Sequence, residues 1–561
     1  SGKSYINEES LRDELEKYYD RHPEAKGWIQ FAEAEIIRFS RKGEIEKEKY
    51  YLGKIICYVK KLQYEIYTPE YYAATIAEIK IHIYENDYTA LKEKYISLWE
   101  KEILDLCKMK EEKRVEPIYN VLHEYMSIRI SLARQYSKLT TVEQLYTDIF
   151  NYERLIEKSV VAEKKEGRFA IDDQNEISIK DLFFDKEKLI IDTIGYNYID
   201  FGSPTSILVN SMENVENTFH QIFFAIERAN VILKNVNVVM LEDVSLVELH
   251  KKMENNPDSL LEAEVRIGNR LLPLLKNKNT IYVCQYASYI PRLAYLMFQG
   301  INNEYLVEQY PIIFSNSVTN IEDTLEITNL SDAYVFGMSN FARDCKKKQD
   351  RLEHYLPDIK YTEKEIQVIA NVLQCKPTIN QRIDENILRK SETQIIHLSS
   401  HTICNRQTGE VELVVGKNET GKLETLSYEQ IAQAHWTSVK IVILSACATA
   451  EGLINDKYIG TLSQAVCDAG AKSCIATIME VPDVINAFYM VCFYKNLRNK
   501  KNIVKAYIAT RNIMRTITKK QIQEDTEYMQ LDISSYLSKY DEEESPFAEF
   551  ESWGAYVLQL N

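Results

Sequence analysis

The sequence predicts a multidomain protein: an N-terminal all-α helical module, followed by an α/β domain with a mainly parallel sheet covered by helices. Three observations lead there. Residues from about 7 to 163 carry apolar stripes of helical period. From Leu189 onward, short apolar runs alternate with helical patterns. The chain has 561 residues, room for more than one hydrophobic core.

In the helical module the stripe Trp28, Phe31, Ile36, Phe39 is one signature and Tyr51, Ile55, Tyr58, Leu62 another. Pro23, Lys42-Gly43, Pro69, Asn86-Asp87 and Glu111-Glu112 punctuate them. Helices of this length are expected to pair antiparallel, as a bundle or a tetratricopeptide-like array, although that repeat has no clean register here. The chain's 38 tyrosines are expected to fill helix interfaces. Residues 164–186 read as a charged linker that opens Lys164-Lys165-Glu166-Gly167.

Strands are expected at Leu189–Ile194, Ser206–Val209, Thr280–Cys284, Ala333–Gly337, Gln394–Leu398, Val439–Leu444 and Ser473–Thr477. Helices are expected at 213–231, 259–275, 361–373, 461–469 and 483–498. Continuous apolar strands separated by helices fit a parallel sheet covered on both faces. The acidic stretch 517–548, with Asp541-Glu542-Glu543-Glu544, reads as a mobile surface insertion.

Composition excludes some functions. Hydrophobic residues make up 45% and charged residues 27%, ordinary for a globular protein. No apolar run reaches the ~18 residues of a membrane-spanning helix, so no membrane partner is expected. A net charge of −16 argues against bulk nucleic-acid binding. The ten cysteines lie far apart, without a C-x-x-C pair or zinc-ligand spacing. Free thiols are expected in a reducing cytoplasm, with no metal and no cofactor.

In sheets of this kind chemistry gathers at the carboxyl ends of strands. One strand runs into Ser399-Ser400-His401-Thr402 and another into Ser445-Ala446-Cys447-Ala448-Thr449. If these strands are parallel neighbours, an imidazole and a thiol leave the same edge. His401 can then take the thiol proton and return it, which makes Cys447 a nucleophile. Backbone N–H groups of Thr402 and Cys447 are the candidate donors to a developing oxyanion. His397, inside its strand, and His435, beside Trp436, read as structural.

Cys447 follows His401 by 46 positions, close to the ~50 that separates the caspase pair. At these residues the sequence resembles the CHAT family of caspase-like peptidases. The family's strand ending His-Leu-Ala-Thr-His-Gly corresponds to His397-Leu398-Ser399-Ser400-His401-Thr402. Its Leu-Ser-Ala-Cys-Glu-Thr corresponds to Leu444-Ser445-Ala446-Cys447-Ala448-Thr449. The likeness continues through Ala465–Ser473 and ends at Trp553-Gly554-Ala555-Tyr556-Val557. Upstream, Leu272-Pro273-Leu274, Tyr282-Val283 and Tyr305-Leu306-Val307-Glu308 also fit, so it covers about residues 187–561. Thr402 replaces the family glycine and Ala448 an acidic residue.

The resemblance implies a degenerate protease-like half at 187–330 and an active half at 331–561. It implies a His401–Cys447 dyad that cleaves a protein substrate. In separases the loop after the next strand resembles Trp-Asp-x-x-Asp, which makes Asp483 the candidate floor of a pocket for a basic side chain, supported by Glu480. Carboxylates in a cleft favour Arg or Lys over Asp. A carboxylate before a helix also fits helix capping, and both readings of Asp483 stand. The helices of 1–163 are expected to bind a protein activator or regulator, and family analogy suggests prokaryotic defence or cell death. The alternative is a catalytically silent scaffold that assembles partners through those helices.

Overall fold

The computed structural model describes residues 8–22, 24–25, 27–103, 115–166, 187–203, 219–230, 235–245, 266–286, 306–315, 318, 321, 325–341, 356–389, 392–404, 411–418, 423–446, 449, 454–455, 458–459 and 461–561. The chain divides into two compact units. One comprises Ser1–Asp181, Gly195–Ile222 and Asp243–Glu254; the other comprises Leu182–Ile194, Phe223–Glu242 and Asn255–Asn561.

The first unit is built on helices: α1 (Glu8–Arg21), α2 (Trp28–Arg41), α3 (Ile45–Leu62), α4 (Pro69–Tyr84), α5 (Tyr88–Ser97), α6 (Val115–Gln135) and α7 (Val142–Glu166). Breaks fall at Lys42-Gly43, Pro69 and Asn86-Asp87, as the sequence predicts; Pro23 and Glu111-Glu112 lie outside the described residues. Local chemistry explains them. Thr68 accepts the N–H of Tyr71 and Pro69 opens α4, while Asp87 accepts the N–H of Ala90 to open α5. Tyrosines fill the interfaces. Trp28 stacks on Tyr58 at 3.8 Å, and Tyr51, Tyr95, Tyr125 and Tyr146 are buried.

Most strands of the second unit belong to an eleven-stranded sheet in the order β3-β2-β1-β4-β5-β16-β15-β12-β8-β6-β7. Its strands are β1 (Lys188–Asn197), β2 (Phe219–Asn230), β3 (Asn235–Ser245), β4 (Thr280–Tyr286), β5 (Ile312–Ser315), β6 (Ala333–Gly337), β7 (Pro377–Ile379), β8 (Ile395–Ser399), β12 (Ile441–Ser445), β15 (Ser473–Thr477) and β16 (Tyr556–Leu560). β4, β5 and β16 are parallel neighbours, as are β15, β12, β8, β6 and β7. β16 runs antiparallel to β15. Separate small sheets hold β9 (Thr402–Cys404), β10 (Val411–Lys417) and β11 (Leu423–Leu426), and β13 (Ile454–Asn455) with β14 (Tyr458–Ile459).

Every residue of β8, β12, β15 and β16 is buried, as a sheet covered on both faces requires. Helices α8 (Thr362–Leu373), α9 (Leu462–Asp468), α10 (Asp483–Lys500) and α11 (Ile503–Thr516) belong to this unit, with α8 against β6 and α10, and α9 against β15. A Cβ at Gly337 in β6 would stand 2.4 Å from Ile366 of α8, so glycine sets that close approach.

Three expectations are corrected. Residues 219–230 form strand β2 rather than the helix expected at 213–231: Gln221 to Ile226 are buried in unbroken succession, and a helix would turn some of them outward. The stretch 517–548 is packed rather than a surface insertion. It carries short helices at Lys519–Glu524, Thr526–Met529 and Ser534–Leu537 and buries Ile522, Leu531, Ile533 and Phe547. His435 is exposed beside its buried neighbour Trp436 and is no core residue. The strand expected at Ser206–Val209 lies outside the described residues. No helix among the described residues is long and apolar enough to cross a membrane.

Candidate active site

β8 and β12 are parallel neighbours, in register from Ile395 opposite Ile441 to Ser399 opposite Ser445. His401 lies two residues past Ser399, and β12 ends in register with it at Ser445, two positions before Cys447 in the sequence. The N–H of Ser400 donates to the carbonyl of Ser445 at 3.3 Å, extending the pairing towards the site.

His401 is half-buried, and its ring orientation is set by two neighbours. Nε2 lies 2.9 Å from the carbonyl oxygen of Pro357. A carbonyl only accepts, so Nε2 carries the hydrogen and Nδ1 is the nitrogen left to take up a proton. The Phe341 ring packs against the imidazole with centroids 4.7 Å apart. Pro357 itself belongs to a fastened segment. Asp358 accepts the N–H of Phe341 at 2.7 Å, Ile359 donates to the carbonyl of Ser339 at 3.0 Å, and Tyr361 donates to Asp483 at 2.7 Å.

Cys447 lies outside the described residues, and its flanks are anchored. Thr477, at the end of β15, donates its hydroxyl to the carbonyl of Ala446 at 2.8 Å. Its N–H donates to the hydroxyl of Thr449 at 3.1 Å. Thr402, expected in a turn, begins β9 opposite Leu413 of β10, and Val414 donates its N–H to the carbonyl of His401 at 2.9 Å.

Asp483 opens α10, but its carboxylate does not cap that helix. It reaches across to the Tyr361 N–H, at the start of α8. Burial pushes its pKa up from the usual 3.8 to about 6, while the Tyr361 N–H pulls it back. Glu480 is exposed.

Sequence reasoning did not single out Glu365, a fully buried acid on α8. Its Oε1 accepts from the Ser445 hydroxyl at 2.7 Å and lies 3.0 Å from His397 Nε2. Its Oε2 accepts from the Ser399 hydroxyl at 3.2 Å. Tyr494 reaches His397 Nδ1 at 3.2 Å, so His397 is a satisfied buried residue, as expected. Asn486 of α10 donates to the Ser445 hydroxyl at 2.8 Å. A signal existed: Glu365 interrupts the buried stripe Thr362, Ile366, Ile369, Leu373, and a charge there needs partners.

The fold is thus a mostly parallel sheet covered by helices, with His401 just past the carboxyl end of β8 and next to the parallel β12. Residues 288–560, just under half of the chain, match the family model described as CHAT domain. Comparison with curated proteins finds no match. Among solved structures, the complex of Porphyromonas gingivalis RgpB pro- and mature domains is similar at 9% identity and TM-score 0.29, covering 54% of this chain and 68% of that one. The Arg specific cysteine proteinase gingipain R is similar at 10% identity and TM-score 0.27, covering 54% and 67%.

Proposed function

We propose that this chain is a regulated cysteine endopeptidase with Cys447 as nucleophile and His401 as its base. The observation that carries the reading is the register of Ser399 against Ser445, which sends both loops off one edge. In this mechanism the Cys447 thiol proton passes to His401 Nδ1 and the sulfur attacks the scissile carbonyl carbon. The N–H groups of Thr402 and Cys447 receive the oxyanion. His401 returns the proton to the departing amine, and water then cleaves the thioester.

The proposed cleavage site follows a basic residue, received by Asp483 with Glu480 beside it. A carboxylate lying next to the segment that holds His401 supports this preference. In this reading 1–163 is the tetratricopeptide-like module that binds a protein activator, 164–186 its linker, 187–330 a degenerate half and 331–561 the active half. Support for the partner surface comes from exposed large apolar side chains: all those found among the described residues lie on the first unit, Leu11, Tyr18, Ile45 and Tyr50 among them. The thiols of Cys57, Cys375 and Cys492 fit a reducing cytoplasm, and prokaryotic defence or cell death is the proposed setting.

The test compares wild type with Cys447→Ala on Arg-, Lys- and Asp-containing peptides, with and without candidate partner proteins. Cleavage after Arg or Lys that vanishes in the variant is the expected result. Equal cleavage by both proteins removes the mechanism. A Cys447 no more readily alkylated than the other cysteines, with or without a partner, points to the silent scaffold.

A further inference from the structure

We infer that Glu365 is a positioning residue of this site: its carboxylate ties together the carboxyl ends of the two strands that carry His401 and Cys447. The inference rests on the dyad proposed above.

The geometry is specific. Glu365 sits on α8, outside both strands, yet one oxygen takes the Ser445 hydroxyl and the other takes the Ser399 hydroxyl. These serines oppose each other in register, and each stands two residues before a dyad position. The carboxylate also meets His397, inside β8, at 3.0 Å. From Ser445 the connection continues to Asn486 of α10, which accepts from the Tyr556 hydroxyl at 3.2 Å. From His397 it continues to Tyr494, also on α10. One acid therefore joins α8, β8, β12 and α10, with β16 attached through Asn486.

Glu365, His397, Ser399 and Ser445 are all buried. Hydrogen bonds in a low-dielectric interior are stiff, and a network whose members are all satisfied specifies one arrangement. The backbone ladder aligns β8 with β12 as far as Ser399 and Ser445, and the Ser400 N–H adds one bond beyond them, after which the pairing of these two strands ends. There the side-chain clamp takes over. In the proposed mechanism, fixed strand ends are what lets the two loops that start there bring imidazole and thiol together at one separation. Glu365 touches neither substrate nor the reacting atoms and acts through the two strand ends.

The experiment uses the full chain carrying Glu365→Gln, Ser399→Ala or Ser445→Ala. Glutamine keeps the size of the side chain but replaces one acceptor oxygen with a donor. Iodoacetamide alkylation of Cys447 is followed by mass spectrometry from about pH 5 to about pH 9, a window spanning histidine titration. Peptide turnover, divided into kcat and KM, and Tm are measured beside it. In Glu365→Gln, alkylation at neutral pH is expected to slow about tenfold and its pH inflection to shift. kcat is expected to fall about 10- to 100-fold with KM within about twofold, as for supporting residues of other sites.

A lowered Tm with unchanged alkylation profile and kcat shows a merely structural acid and overturns the inference. If Glu365→Gln does not fold, the serine variants decide: a lower kcat or slower Cys447 alkylation in either supports the clamp, and wild-type values in both overturn it. If wild type shows no Cys447-dependent cleavage, the peptidase reading falls, and the alkylation profiles alone judge Glu365.

Discussion

His401 donates its Nε2 hydrogen to the carbonyl oxygen of Pro357 across 2.9 Å, which leaves Nδ1 as the nitrogen that takes up the thiol proton in the proposed mechanism. The imidazole is thus oriented by a backbone group 44 residues earlier in the chain. His401→Ala is expected to lower kcat/KM by at least about a thousandfold. The same variant should slow Cys447 alkylation near neutral pH, because a thiol without a base stays protonated. Steady-state kinetics and mapped alkylation check the two outcomes.

The segment bearing Pro357 is itself held by Asp358, whose carboxylate accepts the Phe341 N–H at 2.7 Å. Asp358→Ala frees this segment and the Phe341 ring that packs on the imidazole. The expected result is a kcat reduced about tenfold with KM nearly unchanged. Urea denaturation should show a stability loss of about 1–3 kcal/mol, the cost of leaving an N–H without its acceptor.

Asp483 makes two pH-dependent predictions. Its pKa is raised by burial from 3.8 to about 6, so between these values the folded chain holds a proton that the unfolded chain has released. Folding therefore loses stability from this group as pH rises from about 4 through about 6. Asp483→Asn does not titrate. The Tm of wild type relative to this variant should be highest near pH 4 and fall by pH 7. Above about pH 6 the carboxylate is charged, so KM for Arg peptides should drop through that pH in wild type and stay flat in Asp483→Asn. An unchanged KM for Arg peptides in the variant would leave Asp483 only its bond to Tyr361.

Phe547 tests the packing of 517–548. It is fully buried and stacks on Phe488 of α10 with centroids 4.2 Å apart. Arg498 of α10 also bonds Glu527 through both terminal nitrogens, at 2.7 and 3.0 Å. Phe547→Ala is expected to cost about 3–5 kcal/mol by urea denaturation. A surface insertion would lose almost nothing.

In the helical unit, Arg129 and Asp148 form a buried pair with an Nη2–Oδ2 distance of 2.6 Å. Arg129 also donates to the carbonyl of Tyr95 at 2.7 Å. Asp148→Ala leaves a guanidinium buried without its carboxylate, so a loss of about 3–5 kcal/mol is expected. Far-UV circular dichroism during thermal unfolding reads this change.

Much of the architecture was legible because buried parallel strands are continuous apolar runs. Ala333–Gly337 and Ser473–Thr477 were predicted with the bounds they have in the fold. Residues 219–230 were not: apolar side chains such as Phe223 and Ile226 suit a buried helix as well as a buried strand. Phe547 shows another blind spot. A few scattered apolar side chains, Phe547 among them, pin a segment whose composition reads as surface.

From the sequence alone came the order of the candidate site: two apolar strands, one followed by His401 and the other by Cys447. Local pattern reports whether a residue is buried and in which kind of element. Only the tertiary structure decided what those groups meet. Ser445 finds Glu365 across 80 residues, and Tyr361 finds Asp483 across 122. A hydrogen bond needs donor and acceptor within about 3 Å, and chain separation says nothing of that distance until strands and helices have packed.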